Sequence, residues 1–227
     1  MPFPSALREK VLLWCDRRCC LCKKGCDVFI EVHHIVPEKD GGTDEEDNAI
    51  PLCFDCHAKV SHYDSTQPIG TKFKPEELKK RRDQVYDECT RNLVPVLQYQ
   101  VHANGRVLPM VGFTLIHKGG QAPAVQATVN LKIFINGVGI DYPYYGLYGG
   151  QYRWNLNPGE GVNGQFMLPP EAMEHGADVR VGIYITVFDV YDRPHKLLPV
   201  AYVLMEDRAN WYLDPMDPTM SAAQGRR

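Results

Sequence analysis

The sequence predicts an α+β protein in two parts, a Cys/His-rich part with a helix at each end followed by an all-β part. Three observations predict it. All eight cysteines fall within the first 89 of 227 residues. Apolar residues recur at helical spacing near residues 5–14 and 75–91. Beyond Pro95 the apolar residues instead alternate with polar ones at period two, the signature of strands with one buried face.

The elements follow in order. Ser5 is placed to cap a first helix in which Leu7, Val11, Leu12 and Trp14 share a face. A second helix is marked over 75–91: Pro75 suits its first turn, Glu76 and Glu77 favour its positive end, and Leu78, Arg82, Val85, Tyr86 and Cys89 follow as a stripe. The boundary between the parts falls near residues 92–97, giving domains of 1–95 and 96–227. In the second, Val125, Ala127, Val129, Leu131, Ile133 and Ile135 alternate with Gln126, Thr128, Asn130, Lys132 and Phe134. Val179, Val181, Ile183, Ile185 and Val187 repeat the pattern. Shorter strands are expected near 96–101, 111–117, 151–156, 163–168, 198–205 and 209–213, separated by Gly, Pro, Asn and Asp turns. Such a series without a helix predicts an antiparallel sandwich of immunoglobulin-like kind.

Composition narrows the class. Hydrophobic residues make up 44% and charged residues 23%, ordinary values for a globular chain. No run approaches the roughly 18 apolar residues of a membrane span, and the N-terminus, with charges inside its apolar stretch, does not read as a signal peptide. A cytoplasmic location is expected, with no membrane partner. The net charge of −3 divides evenly: 15 Lys/Arg against 17 Asp/Glu in residues 1–95, and 10 against 11 in residues 96–227. This counts against duplex binding driven by broad phosphate neutralisation, while leaving room for a local basic patch.

Cys19 and Cys22 form one C-x₂-C pair, and Cys53 and Cys56 form another about thirty residues later. Paired clusters in a reducing compartment read as metal ligands, and two such knuckles close a four-thiolate zinc site with no open position, a structural Zn²⁺. Cys20 and Cys26 lie close enough for either to replace a ligand of the first knuckle. Cys15 and Cys89 sit on helical faces and read as core. Between the knuckles lie Glu31-Val32-His33-His34, a Gly41-Gly42 turn and Asp47-Asn48, and His57 directly follows the second.

His34, Asn48, His57, the two C-x₂-C pairs and the Gly-Gly turn coincide in order and spacing, and over residues 5 to about 90 the chain resembles the HNH endonucleases. It is closest to their bacterial members with Cys₄ knuckles, down to the trailing His62-Tyr63, Pro68, Gly70 and Glu77-Leu78. The resemblance implies a ββα-metal fold and hydrolysis of DNA phosphodiesters. It implies His34 as general base, His33 and His57 as ligands of a catalytic divalent ion, and Asn48 as the residue that holds the His34 loop. Many relatives carry an acid where this chain has His33. Two imidazoles favour softer ions, so Mn²⁺, Ni²⁺ or Zn²⁺ joins Mg²⁺ as a candidate. His62 reads as peripheral. The run Lys79-Lys80-Arg81-Arg82 is a solvated face or a set of phosphate contacts.

The β part carries no catalytic cluster; His102, His117, His175 and His195 are scattered. Its densest feature is a Gly-rich loop with Tyr142, Tyr144, Tyr145, Tyr148 and Tyr152, followed by Trp154. It reads as a recognition surface or as a hairpin packed on the sandwich edge. Three function classes follow. In the first, a defence-type nuclease is regulated by its β part through a protein partner or self-association over residues 97–227. In the second, a restriction-type enzyme reads DNA with that part. In the third, a zinc-stabilised interaction protein has no activity. The even charge favours the first over the second, and the intact His34, Asn48 and His57 argue against the third.

Overall fold

The computed structural model describes residues 3–61, 72–104, 110–119, 123–140, 153–205 and 211–214. The chain divides into two compact units, Met1–Leu93 and Val94–Arg227.

In the first unit, helix α1 (Ser5–Trp14) is followed by strands β1 (Ile30–His34) and β2 (Ala49–Cys53), helix α2 (Phe54–Ser61) and helix α3 (Pro75–Thr90). Ser5 is the first helical residue rather than the cap: Pro4 holds that position, extended at φ −52° and ψ 142°, with no side-chain capping bond. A fixed proline φ sets the entry to the helix without one. Val11 and Trp14 on α1, and Leu78, Val85 and Tyr86 on α3, turn inward as the stripes require. They meet Ile30, Ile50 and Leu52 of the hairpin and five of the cysteines in one small core. β1 and β2 pair antiparallel from Ile30 opposite Cys53 to His34 opposite Ala49.

One residue of the α3 stripe is charged. Arg82, 5% exposed, sends its guanidinium to the carbonyls of Asp47 at 2.6 Å, Glu46 at 3.3 Å and Ala49 at 3.4 Å, and to the Asp47 carboxylate at 3.3 Å. A planar fork with five donors suits this cage of acceptors. It ties α3 to the short 3-10 turn that delivers Asn48.

Among the described residues the second unit is built of strands, with one short 3-10 turn at Pro170–Met173. Strands β3 (Leu97–Asn104), β4 (Met110–His117) and β8 (Gly161–Met167) form one antiparallel sheet in the order β3-β4-β8. The other sheet contains β5 (Val125–Ile135), β6 (Val138–Ile140), β7 (Trp154–Leu156), β9 (Val179–Phe188), β10 (Pro194–Lys196), β11 (Val200–Leu204) and β12 (Trp211–Asp214). Its path is β12-β11-β9-β5-β6, with β7 added to β5 and β10 to β9. The two long strands form its spine, paired from Gln126 opposite Phe188 to Ile135 opposite Val179. Their alternation sorts the faces: Val125, Ala127, Val129, Ile133, Val181, Ile183, Ile185 and Val187 turn into a core shared with Val111, Phe113 and Leu115 of the other sheet. β6 and β10, three residues each, were not anticipated from sequence. They add short antiparallel pairings to β5 and β9.

Two scattered histidines of this unit have local duties. His117 is fully buried; its Nε2 lies 3.0 Å from the Pro123 carbonyl and its Nδ1 accepts from the Gly119 amide at 3.0 Å. His195 meets the buried Asp189 carboxylate at 2.8 Å, and Asp189 also accepts the amides of Tyr191 and Arg193. Both are satisfied structural groups. Tyr142, Tyr144, Tyr145, Tyr148 and Tyr152 lie outside the described residues. Trp154 is half-buried on β7, with its ring edge-on to Phe113 at 5.5 Å between centroids.

Candidate active site and metal centre

Both knuckles are built from local backbone geometry. In the first, the chain reverses between Arg18 and Gly25, which form an isolated bridge. The Lys23 amide bonds the Cys19 carbonyl at 2.8 Å, and the Cys19 amide bonds the Lys24 carbonyl at 2.9 Å. Lys23 takes a left-handed φ of 63° to close the turn. In the second, Cys53 ends β2 and Cys56 lies in the first turn of α2. The Cys20 amide bonds the Pro51 carbonyl at 2.9 Å and draws the knuckles together.

The sulfurs of Cys19, Cys22, Cys53 and Cys56 lie within 4.8 Å of one another, and the Cys22 and Cys53 Sγ atoms are 3.8 Å apart. Four thiolates set tetrahedrally at the usual Zn–S distance of ~2.3 Å have sulfurs about 3.8 Å apart, so the cluster has the geometry to hold zinc. Burial and the neighbouring thiols push the Cys56 thiol well above its ordinary range. The Cys56 thiol thus resists ionising until a cation joins the cluster. Cys26 stands aside and donates to the Lys24 carbonyl at 3.1 Å. Cys20 is buried, with its thiol pushed well up by burial.

The histidines lie on β1 and α2. Neighbouring residues of a strand point to opposite faces. Glu31 and His33 share the face that meets His57 of α2: the His33 and His57 rings are 4.7 Å apart between centroids, and His57 Nδ1 lies 3.5 Å from Glu31 Oε2. Burial, reinforced by His57 and His34, lowers the His33 pKa to about 4. His33 therefore stays a neutral imidazole with a lone pair to offer at physiological pH. The chemistry of this pair suits a divalent ion with coordination positions left open.

His34 meets different neighbours. Its Nε2 lies 2.8 Å from Asp44 Oδ1 and 3.9 Å from Glu38 Oε1. Its ring stacks on Phe3 at 3.9 Å and 18°. Asn48, 6% exposed, closes the loop from within. Its Oδ1 accepts the Val36 amide at 2.8 Å, and its Nδ2 donates to the Val36 and Thr43 carbonyls, each at 2.9 Å. The Gly-Gly turn makes this closure possible: Gly41 has φ 89°, and a Cβ on Gly42 would lie 1.8 Å from the Val36 oxygen and 2.8 Å from Asn48 Nδ2.

Residues 18–62 match the family model of the HNH endonucleases. This stretch is an HNH domain. Over 35 residues the chain is 46% identical to the type IV methyl-directed restriction enzyme EcoKMcrA of Escherichia coli strain K12, a match covering 15% of this chain and 12% of that enzyme. A solved protein from Archaeoglobus fulgidus aligns over 48% of this chain and 96% of its own length, at 10% identity and a TM-score of 0.28, too low to carry a shared fold.

The HNH domain thus brings together the four expected cysteines, the His33–His57 pair, and His34 with the Asn48 loop. The basic run disperses. Lys79 pairs with Asp47, Arg81 pairs with Glu77 at 2.8 Å, and Arg82 is buried under the Asn48 turn; Lys80 is exposed and makes no such pair among the described residues. Glu31, Asp44, Glu38 and Phe3 were not singled out from sequence as site residues. Asp44 sat in an acidic run that reads as solvated surface, and only loop closure brings it to His34. His62 and Tyr63 lie outside the described residues.

Proposed function

We propose that the protein is a metal-dependent HNH endonuclease that hydrolyses DNA phosphodiesters in bacterial defence, under the control of its β unit. The observation that supports the activity most directly is the His33–His57 pair, with His34 next to His33 at the end of β1, inside residues that match the HNH family model.

In this reading His34 takes a proton from water. The water oxygen bonds to phosphorus, the bond from phosphorus to the 3′ oxygen breaks, and that oxygen leaves as a hydroxyl after gaining a proton from solvent. A neutral imidazole suits the base role near pH 7. His33 and His57 hold the catalytic ion, Mg²⁺, Mn²⁺ or Ni²⁺, which when bound stabilises charge on the phosphate and the leaving oxygen. Glu31 orients His57. Asn48 touches no substrate and keeps His34 in place by closing the loop. The four cysteines hold a structural Zn²⁺.

Purified protein incubated with plasmid, linear and single-stranded DNA across Mg²⁺, Mn²⁺, Ni²⁺ and Zn²⁺ tests this directly. Metal-dependent cleavage that disappears in His34→Ala is the expected result. Metal-dependent cleavage that persists unchanged in His34→Ala refutes the assignment of the base, and absence of cleavage under every condition refutes the nuclease reading. The E. coli relative, a methyl-directed restriction enzyme, favours a second reading, a restriction-type enzyme whose β unit reads DNA. The charge balance of that unit, 10 basic against 11 acidic residues, favours regulation by protein contact or self-association. A monomeric full-length protein that binds DNA through residues 97–227 with steep salt dependence would replace regulation with readout.

A further inference from the structure

Asp44 belongs to a run of four acids, Asp44-Glu45-Glu46-Asp47, of the kind that usually faces solvent. It stands apart because its carboxylate oxygen lies 2.8 Å from His34 Nε2. The other acid nearby, Glu38, is 3.9 Å from the same nitrogen, beyond hydrogen-bonding range.

An ionised carboxylate only accepts hydrogen bonds, so Nε2 must carry the proton of the imidazole. A neutral imidazole has one proton, which leaves Nδ1 as its lone-pair nitrogen. Among the described residues no hydrogen bond occupies Nδ1. Phe3, itself 3% exposed, stacks on the face of the ring at 3.9 Å. The loop places the carboxylate, because Asn48 Nδ2 holds the Thr43 carbonyl, one residue before Asp44, at 2.9 Å.

We propose that Asp44 is a positioning residue of the active site, fixing His34 as the Nε2–H tautomer so that Nδ1 faces the attacking water. This rests on His34 acting as the base. Asp44 thereby plays towards His34 the part that a carboxylate plays in other imidazole-based sites, selecting the tautomer and orientation of the ring. It also links the loop to the chemistry: Asn48 sets Thr43, Thr43 carries Asp44, and Asp44 sets His34.

The experiment uses full-length protein with Asp44→Ala and Asp44→Asn. The Asp44 side chain is 41% exposed, so neither change removes core, and the Asn variant keeps the volume should the Ala variant fold poorly. Two readouts are taken. Long-range ¹H–¹⁵N spectra of ¹⁵N-histidine-labelled protein at neutral pH, assigned with His34→Gln, report the His34 tautomer without substrate. Cleavage kinetics with plasmid and the supporting metal separate kcat from KM.

The expected result is an Nε2–H tautomer in the wild type that is lost or mixed in both variants. With it, kcat falls on the order of 10²-fold while KM stays within about twofold and bound zinc is unchanged. An unchanged tautomer overturns the proposal, as does kcat within about twofold of wild type. A loss confined to KM or to affinity for the catalytic metal also overturns it, since Asp44 would then touch substrate or metal. If His34→Ala remains active, the base assignment itself fails. If His34→Ala is inactive while Asp44→Ala is fully active, only the role of Asp44 falls.

Discussion

The two units stay folded by different means. The β unit relies on area: two antiparallel sheets share a core of Val, Ile, Leu and Phe, with period-two alternation on both spine strands. The HNH unit has a two-stranded sheet and a small core in which five of sixteen buried residues are cysteines. Its remaining order comes from polar devices: four convergent sulfurs, Arg82 caged by carbonyls, and Asn48 closing a loop. Non-directional burial tolerates variation, whereas polar cages need specific partners and lose much when one is removed. The unit with the smaller core is also the one that contains the HNH stretch, and its polar devices hold the loop that carries His34 and Asn48.

This contrast predicts two thermal transitions with different sensitivities. The largest effect belongs to the zinc frame. Cys53→Ala, Cys56→Ala or strong chelation should unfold the first unit and leave the second folded, since structural zinc sites contribute on the order of 10 kcal/mol of folding free energy. Calorimetry with metal analysis checks this, and a zinc-free protein with unchanged melting would erase the distinction between the units.

Next in size is His34→Ala, expected to reduce cleavage on the order of 10²–10⁴-fold while leaving both transitions and zinc content in place, because the base role proposed for it concerns rate rather than folding. The mirror experiment lies in the β core. Leu156→Ala, at a fully buried position, should destabilise the second unit by about 2–5 kcal/mol through lost burial and the cavity left behind. A drop in the first transition instead would show that the units do not melt separately.

A smaller effect is expected at the loop. Asn48→Ala strands the Val36 amide and two carbonyls and should cost the first unit about 1–3 kcal/mol, read as a lowered first transition. The smallest is a pH dependence. His33 has a folded pKa of about 4 against an ordinary 6.5, so the unfolded chain takes up its proton first. The first unit should therefore lose stability as pH falls from about 6.5 towards 4. Denaturant melts of wild type and His33→Gln, compared at matched zinc content, isolate that part, and identical pH profiles would show that burial does not set the His33 proton.

Much of this was legible in the sequence because it depends on local order. The burial patterns of β5 and β9 follow alternations in the chain, and the α3 stripe turns in Leu78, Val85 and Tyr86 at helical spacing. The C-x₂-C pairs announced a site because a knuckle is a local turn. The Gly-Gly turn was visible as a motif, although its reason, the close approach of Gly42 to Val36 and Asn48, is a contact across the loop.

Tertiary structure decided the rest. Arg82, in a basic run that reads as surface, is buried under the Asn48 turn because α3 packs over residues 46–49. Asp44, in an acidic run that reads as surface, reaches His34 because Asn48 folds the loop back. Phe3 stacks on a ring thirty-one positions further along the chain. Charge in a sequence is read as exposure because an isolated buried charge is costly. That cost disappears once the fold supplies partners, and such partners come from distant positions that no local pattern encodes. The sequence by itself determined α1, α3, the spine strands β5 and β9, the knuckles and the histidines; only the fold decided which acid faces which imidazole.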